Sequence, residues 1–172
     1  MSTFVSLIHA CYASKTDLAI SLCPDALGSN PADNVLNQVL KPIVETANLH
    51  LFQWFVKTYP LSHRVKNTLP RSAVFSGDAA MLNAVTTIVG TTSQAFWQPS
   101  CLADAVHADD KLMLEYLFKN IVAYSNADTY QDTMDTSIRL GHSDLLHWLW
   151  DMRFQLLAKQ EADSLGHVAP SD

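Results

Sequence analysis

Residues 137–149 read SIRLGHSDLLHWL, an apolar segment closing on Gly141-His142 and a second apolar segment opening behind Asp144. The same plan stands 32 residues earlier in AVHADDKLMLEYL (105–117), and 32 before that in AVFSGDAAMLNAV (73–85). It recurs after a step of 30 in IVETANLHLFQWF (43–55), and after a step of 33 in ACYASKTDLAISL (10–22). Self-similarity at a fixed period near this length is the mark of a solenoid, in which each unit buries its apolar face on the next.

Each unit predicts a helix, a tight turn and a second helix. The first segment ends at Ser14, Ala47, Gly77, Asp109 or Gly141. Gly77 and Gly141 suit a left-handed residue that closes a helix, because glycine has no Cβ to clash. Asp17, Asp78, Asp110 and Asp144 stand at or near the second helix start, where a carboxylate accepts from free backbone N–H groups. The pairs Leu18/Leu22, Leu51/Phe55, Met81/Val85, Met113/Leu117 and Leu145/Leu149 share one helical face and are the expected core. Trp54, Trp148 and Tyr116 fall among the packing positions as well. The expected units lie near residues 5–23, 38–57, 69–86, 101–119 and 133–158 of one stack spanning 1–158. Residues 159–172 are expected to be a helix end and a frayed tail. Between units, Pro24, Pro31, Pro60, Pro70, Pro99 and the polar stretch Ser125 to Asp132 predict loops of about ten to fifteen residues.

A period near 33 with paired short helices resembles the ankyrin repeat. Gly141-His142 followed by Leu145-Leu146 and Trp148-Leu149 is similar to that family's Gly-His turn and second-helix core, and Gly77-Asp78 with Met81-Leu82 follows suit. The family's Thr-Pro-Leu-His opening is absent from every unit, Thr68-Leu69-Pro70-Arg71 being a loose echo, and the hairpin-tip glycines are missing. The fold class expected is therefore all-α, a helix-turn-helix solenoid of about five ankyrin-like units, with right-angled loops that lack regular β-hairpins. Tetratricopeptide repeats share a period of about 34, but their longer helices and Trp…Leu-Gly…Tyr pattern fit poorly. Another helical-hairpin repeat and a non-repeat helical bundle stay open as alternatives.

Composition agrees with a globular chain. Of 172 residues, 48% are hydrophobic and 16% charged, enough apolar material for a core and too little charge for disorder. The net charge of −6 provides no whole-protein footprint for nucleic acid. That charge is uneven: residues 1–86 carry +1 and residues 87–172 carry −7, so the acidic half can steer a basic partner. Cys11, Cys23 and Cys101 form neither a metal spacing nor a disulfide framework, and read as buried thiols in a reducing compartment. The first residues lack a basic leader, and no apolar run reaches the roughly 18 residues that span a bilayer. A cytoplasmic protein without membrane contact is expected.

Chemistry-bearing motifs are missing. The five glycines are isolated, so no phosphate-cradling loop occurs, and neither His-Glu-x-x-His nor Cys-x-x-Cys is present. His142 and His147, five apart, point to different helix faces, as do His9 and Cys11. Asp109-Asp110 near Asp104 are explained by a turn and a helix start. No catalytic, cofactor or metal residue is assigned, and the chain is read as no enzyme. A hidden site would need His107, Asp109 or Asp135 in a deep apolar pocket.

What remains is binding to another protein through the concave face and inter-unit loops, as the resemblance implies. Residues 57–71 form a basic strip whose Tyr59, Arg64, Lys66 and Arg71 are candidate contacts. Phe96 and Trp97 in QAFWQPS (94–100) are candidate aromatic anchors. Trp150 and Phe154 lie on a last helix with no following unit to cover them, so the chain is expected to be a monomer or a weak homodimer through that helix.

Overall fold

Each of the five expected turn residues is left-handed in the computed structural model, which describes residues 2–91, 99–121 and 127–165. Ser14, Ala47 and Asp109 have φ of 53°, 52° and 52°, and Gly77 and Gly141 have 66° and 76°. The turns also share a hydrogen-bond plan. The N–H of the next residue reaches back five residues: Lys15 to the Ala10 carbonyl, Asn48 to Ile43, Asp110 to Ala105 and His142 to Ser137. This is the Schellman closure of a helix end. The Gly77 turn differs, because the Ser76 hydroxyl stands between the two groups: it accepts from Asp78 N–H at 3.3 Å and donates to the Ala73 carbonyl at 2.7 Å.

The turns join five pairs of antiparallel helices. These are α1 (Thr3–Tyr12) with α2 (Thr16–Leu27), and α3 (Asp33–Glu45) with α4 (Leu49–Thr58). After a short α5 (His63–Lys66) come α6 (Leu69–Ser76) with α7 (Ala79–Val89). Then follow α8 (Pro99–His107) with α9 (Lys111–Asn120), and α10 (Ala127–Leu140) with α11 (Ser143–Leu165). No strand occurs among the described residues. The first helices α1, α3, α6, α8 and α10 touch in an unbroken row, while α2, α4 and α7 touch in a second row behind it.

One core runs through the stack. The residue four before each left-handed turn is buried in all five units: Ala10, Ile43, Ala73, Ala105 and Ser137. Ser137 satisfies its hydroxyl by donating to the Thr133 carbonyl at 2.9 Å. The second helices start behind side-chain caps where the sequence supplies them. Asn48 accepts from Leu51 N–H, Asp78 from Met81 and Asp110 from Met113, at 3.1, 2.6 and 2.9 Å. Asp17 caps nothing; it lies in the first turn of α2, which opens on Lys15 with no side-chain cap.

Several expectations need correction. Pro24 is inside α2 rather than in a loop, and the turn it belongs to carries Leu27 into the core. The helix α3 begins at Asp33, five residues before the expected start of the second unit. The first connection therefore shrinks to residues 28–32. Part of the stretch expected as a loop before the third unit is helical, as α5, and α10 already begins at Ala127. In α2 the core residues are Ala19, Cys23 and Leu27, whereas Leu18 is exposed. Leu18 occupies the position at which Leu51, Met81, Met113 and Leu145 are buried. Among the described residues, those have a preceding unit and Leu18 has none.

Candidate interaction face

The outward side of the first-helix row is set by the turn geometry. Two residues before each left-handed turn stand Tyr12, Glu45, Phe75, His107 and Arg139, all exposed except the half-buried Glu45. Side-chain bonds between successive units span about one period. Thr68 donates to Asn37 at 3.1 Å, 31 residues away. Arg71 donates to Asp104, 33 residues away, through a two-pronged contact: Nε to Oδ2 at 2.6 Å and Nη2 to Oδ1 at 3.2 Å. This fork on a carboxylate is a directional, charge-assisted arrangement, and it holds Arg71 above the ordinary arginine pKa.

Two clefts run along this face. One crosses α3, α6 and α8, has a volume of ≈ 800 Å³, and is lined by Lys41, Glu45, Arg71, Phe75, Ser100 and Asp104 among others. The other lies between α8 and α10, measures ≈ 570 Å³, and is lined by Ser100, Leu102, Val106, Asp132, Asp135 and Arg139 among others. Ser100 belongs to both, so the clefts adjoin. In the middle unit of the stack Phe75 is 72% exposed. Its neighbours along the face are the Arg71–Asp104 fork and the Lys41–Glu45 pair at 3.8 Å.

The expected contact residues fare unequally. Arg71 is on the face and lines a cleft. Arg64 and Lys66 are on α5 and line neither cleft. Tyr59 is not available as a contact: it is 4% exposed and packs on Phe55 at 4.9 Å and Trp54 at 6.3 Å between ring centroids. It continues the Leu51, Phe55 spacing by four, so the buried face of α4 extends through it. Phe96 and Trp97 lie outside the described residues. Phe75 was missed, although the sequence carried a signal: the other units place a polar-tipped side chain at its position.

The acid pair at the fourth turn has structural work. Asp109 is the left-handed residue and lies 3.6 Å from His142 Nδ1 in the next turn, while Asp110 caps α9. His107, Asp109 and Asp135 do not share a cleft: His107 lies by Phe75 and Asp104, and Asp135 in the α8–α10 cleft. No group of three or more metal-ligating side chains occurs among the described residues, and no helix among them is long and apolar enough to cross a membrane. Compared with known proteins, the chain matches no family model, no curated protein and no solved structure.

Proposed function

We propose that this chain is a protein-interaction module, a scaffold, adaptor or inhibitor rather than an enzyme, built as a divergent ankyrin-like stack that binds another protein through its first-helix face. The exposed ring of Phe75 carries the reading. An exposed aromatic side chain lining a cleft that the Arg71–Asp104 and Lys41–Glu45 ion pairs also line suits an interface anchor. The repeated left-handed turns and the period near 32 support the ankyrin-like assignment. Three buried free cysteines suit a reducing compartment, and we place the module in the cytoplasm.

The test is photo-crosslinking in the cells that make the protein, with a benzophenone side chain in place of Phe75, followed by capture with Phe75→Ala and Leu112→Ala baits. Leu112 is 78% exposed on α9, outside both clefts, and serves as the control. A partner is expected to crosslink at position 75, to be lost by Phe75→Ala, and to be kept by Leu112→Ala. Partners kept equally by both baits would remove the reading.

A second reading has its own observation. At the far end of the stack Ile138, Leu140, Trp150 and Phe154 are all exposed, with the two rings edge to face at 5.5 Å. A patch of this kind suits self-association. Light scattering across concentration tests it: a mass that rises, and that Trp150→Asp returns to the monomer, supports pairing, and a constant monomer mass ends it.

A further inference from the structure

We infer that the segment held on the first-helix face is basic, a stretch of a partner protein that sets an aliphatic or aromatic side chain against Phe75 and a lysine or arginine between Asp132 and Asp135. The inference rests on the interaction-module reading and adds the chemistry of the partner.

The charge balance of the α8–α10 cleft carries it. Elsewhere the carboxylates facing the clefts have cations beside them: Glu45 has Lys41 and Asp104 has Arg71. Asp132 and Asp135 have no ion-pair partner among the described residues. The Asp135 carboxylate accepts from a neutral donor, Gln131 Nε2, at 2.9 Å. Arg139 is the single cation lining this cleft, and it is turned elsewhere. Its Nη2 donates to Thr136 Oγ1 at 3.0 Å and its Nε to the Asp135 backbone carbonyl at 3.4 Å. Two exposed carboxylates therefore flank a cleft whose other wall holds the half-buried Ala103 together with the buried Leu102 and Val106.

That combination fits the long side chain of lysine or arginine, whose methylene stem lies on apolar surface while its head meets a carboxylate. Because the clefts adjoin at Ser100, a single extended segment can run from Phe75 to the aspartates. The wider field has the same sign: residues 87–172 carry a net −7, which draws a basic segment toward this end of the face and repels an acidic one.

The experiment is selection of phage-displayed random dodecapeptides on the wild-type chain. Enriched peptides are then synthesised and titrated against wild type, Phe75→Ala, Asp132→Asn/Asp135→Asn and a control, Asp17→Asn. All of these side chains are exposed, so each variant is expected to keep the wild-type melting curve. The expected result is enrichment of lysine and arginine beside an apolar residue. Affinity should fall about tenfold in Phe75→Ala and about tenfold in the double aspartate variant, fall with added salt, and stay unchanged in Asp17→Asn. Peptides that need Phe75 but carry no basic excess and ignore Asp132 and Asp135 would overturn this inference and leave the interaction face standing. Peptides indifferent to Phe75→Ala, or no enrichment at all, would overturn both.

Discussion

Exchanging glycine and non-glycine residues at the turns should change stability in opposite directions. Gly141 has φ of 76°, and a Cβ built on it would meet nothing within 4 Å, so Gly141→Ala adds backbone strain without a clash. A non-glycine residue held left-handed costs about 1–2 kcal/mol, and alanine recovers about 0.4–1 kcal/mol by restricting the unfolded chain. The net loss is about 0.5–1 kcal/mol. Ser14 is the mirror case: it is exposed, has φ of 53° and packs on nothing that glycine would forfeit. Ser14→Gly should therefore gain about 0.5–1 kcal/mol. For a chain of this size each change moves the melting temperature by about 1–4 °C, downward for Gly141→Ala and upward for Ser14→Gly. Were these residues inside ordinary helices, both signs would invert, since glycine is the poorer helix former by about 1 kcal/mol against alanine and somewhat less against serine. Urea denaturation of the two variants beside wild type decides the matter. A stabilised Gly141→Ala or a destabilised Ser14→Gly would refute the common left-handed turn.

Removing a second-helix cap should be graded by what else the cap holds. Asp78→Ala loses the bond to Met81 N–H and should cost about 1 kcal/mol, whereas Asn48→Ala also loses the 2.9 Å bond from its Nδ2 to Thr16 Oγ1 in the preceding turn and should cost more; urea midpoints rank the two. Tyr59→Ala should destabilise by about 3–5 kcal/mol, as for other buried aromatic rings, while Arg64→Ala leaves the melting curve in place. Burial pushes the Cys11 thiol from 9.0 up to about 12, Cys23 from 9.0 to about 11, and the Tyr130 phenol from 10.0 to about 12. These groups keep their protons in the fold and lose them more readily when unfolded. Their contribution is complete below pH 9.0 and is lost as pH rises toward about 12. Denaturation midpoints should therefore fall above pH 9.0, less steeply in Cys11→Ala, and a pH-independent midpoint across that range would contradict the burial of the thiols.

The turns were legible because their cause is local. A helix that ends in a left-handed residue and restarts behind an acid writes both events into six neighbouring positions, as in Gly77-Asp78 and Asp109-Asp110. The core of the middle units was legible for the same reason, through spacings of four such as Leu51 and Phe55. Tyr59 was misread because Pro60 marks a helix end, and an aromatic at a helix end reads as loop. Yet Tyr59 N–H still bonds the Phe55 carbonyl at 2.9 Å, so the side chain keeps the buried face of α4 for one more turn. Proline misled again at Pro24, where tertiary packing holds the helix through a missing N–H donor.

The face itself depends on a relation that no single unit contains. Arg71 meets Asp104 because one period separates them, and the same relation sets Thr68 beside Asn37 and Thr16 beside Asn48. Periodicity was visible in the sequence, but it was read along the buried positions and not along the outward ones, so Phe75 went unnoticed and Asp135 was considered only as part of a hidden catalytic site. The ends of the stack follow from the same relation. Ile138 stands where Cys11, Val44, Val74 and Val106 are buried, and it is exposed because no described unit follows it. Leu18 is exposed because none precedes it. Residue type alone would place both in a core; in a stack, burial also requires a neighbour, and each apolar residue facing along the axis is only as buried as the next unit makes it.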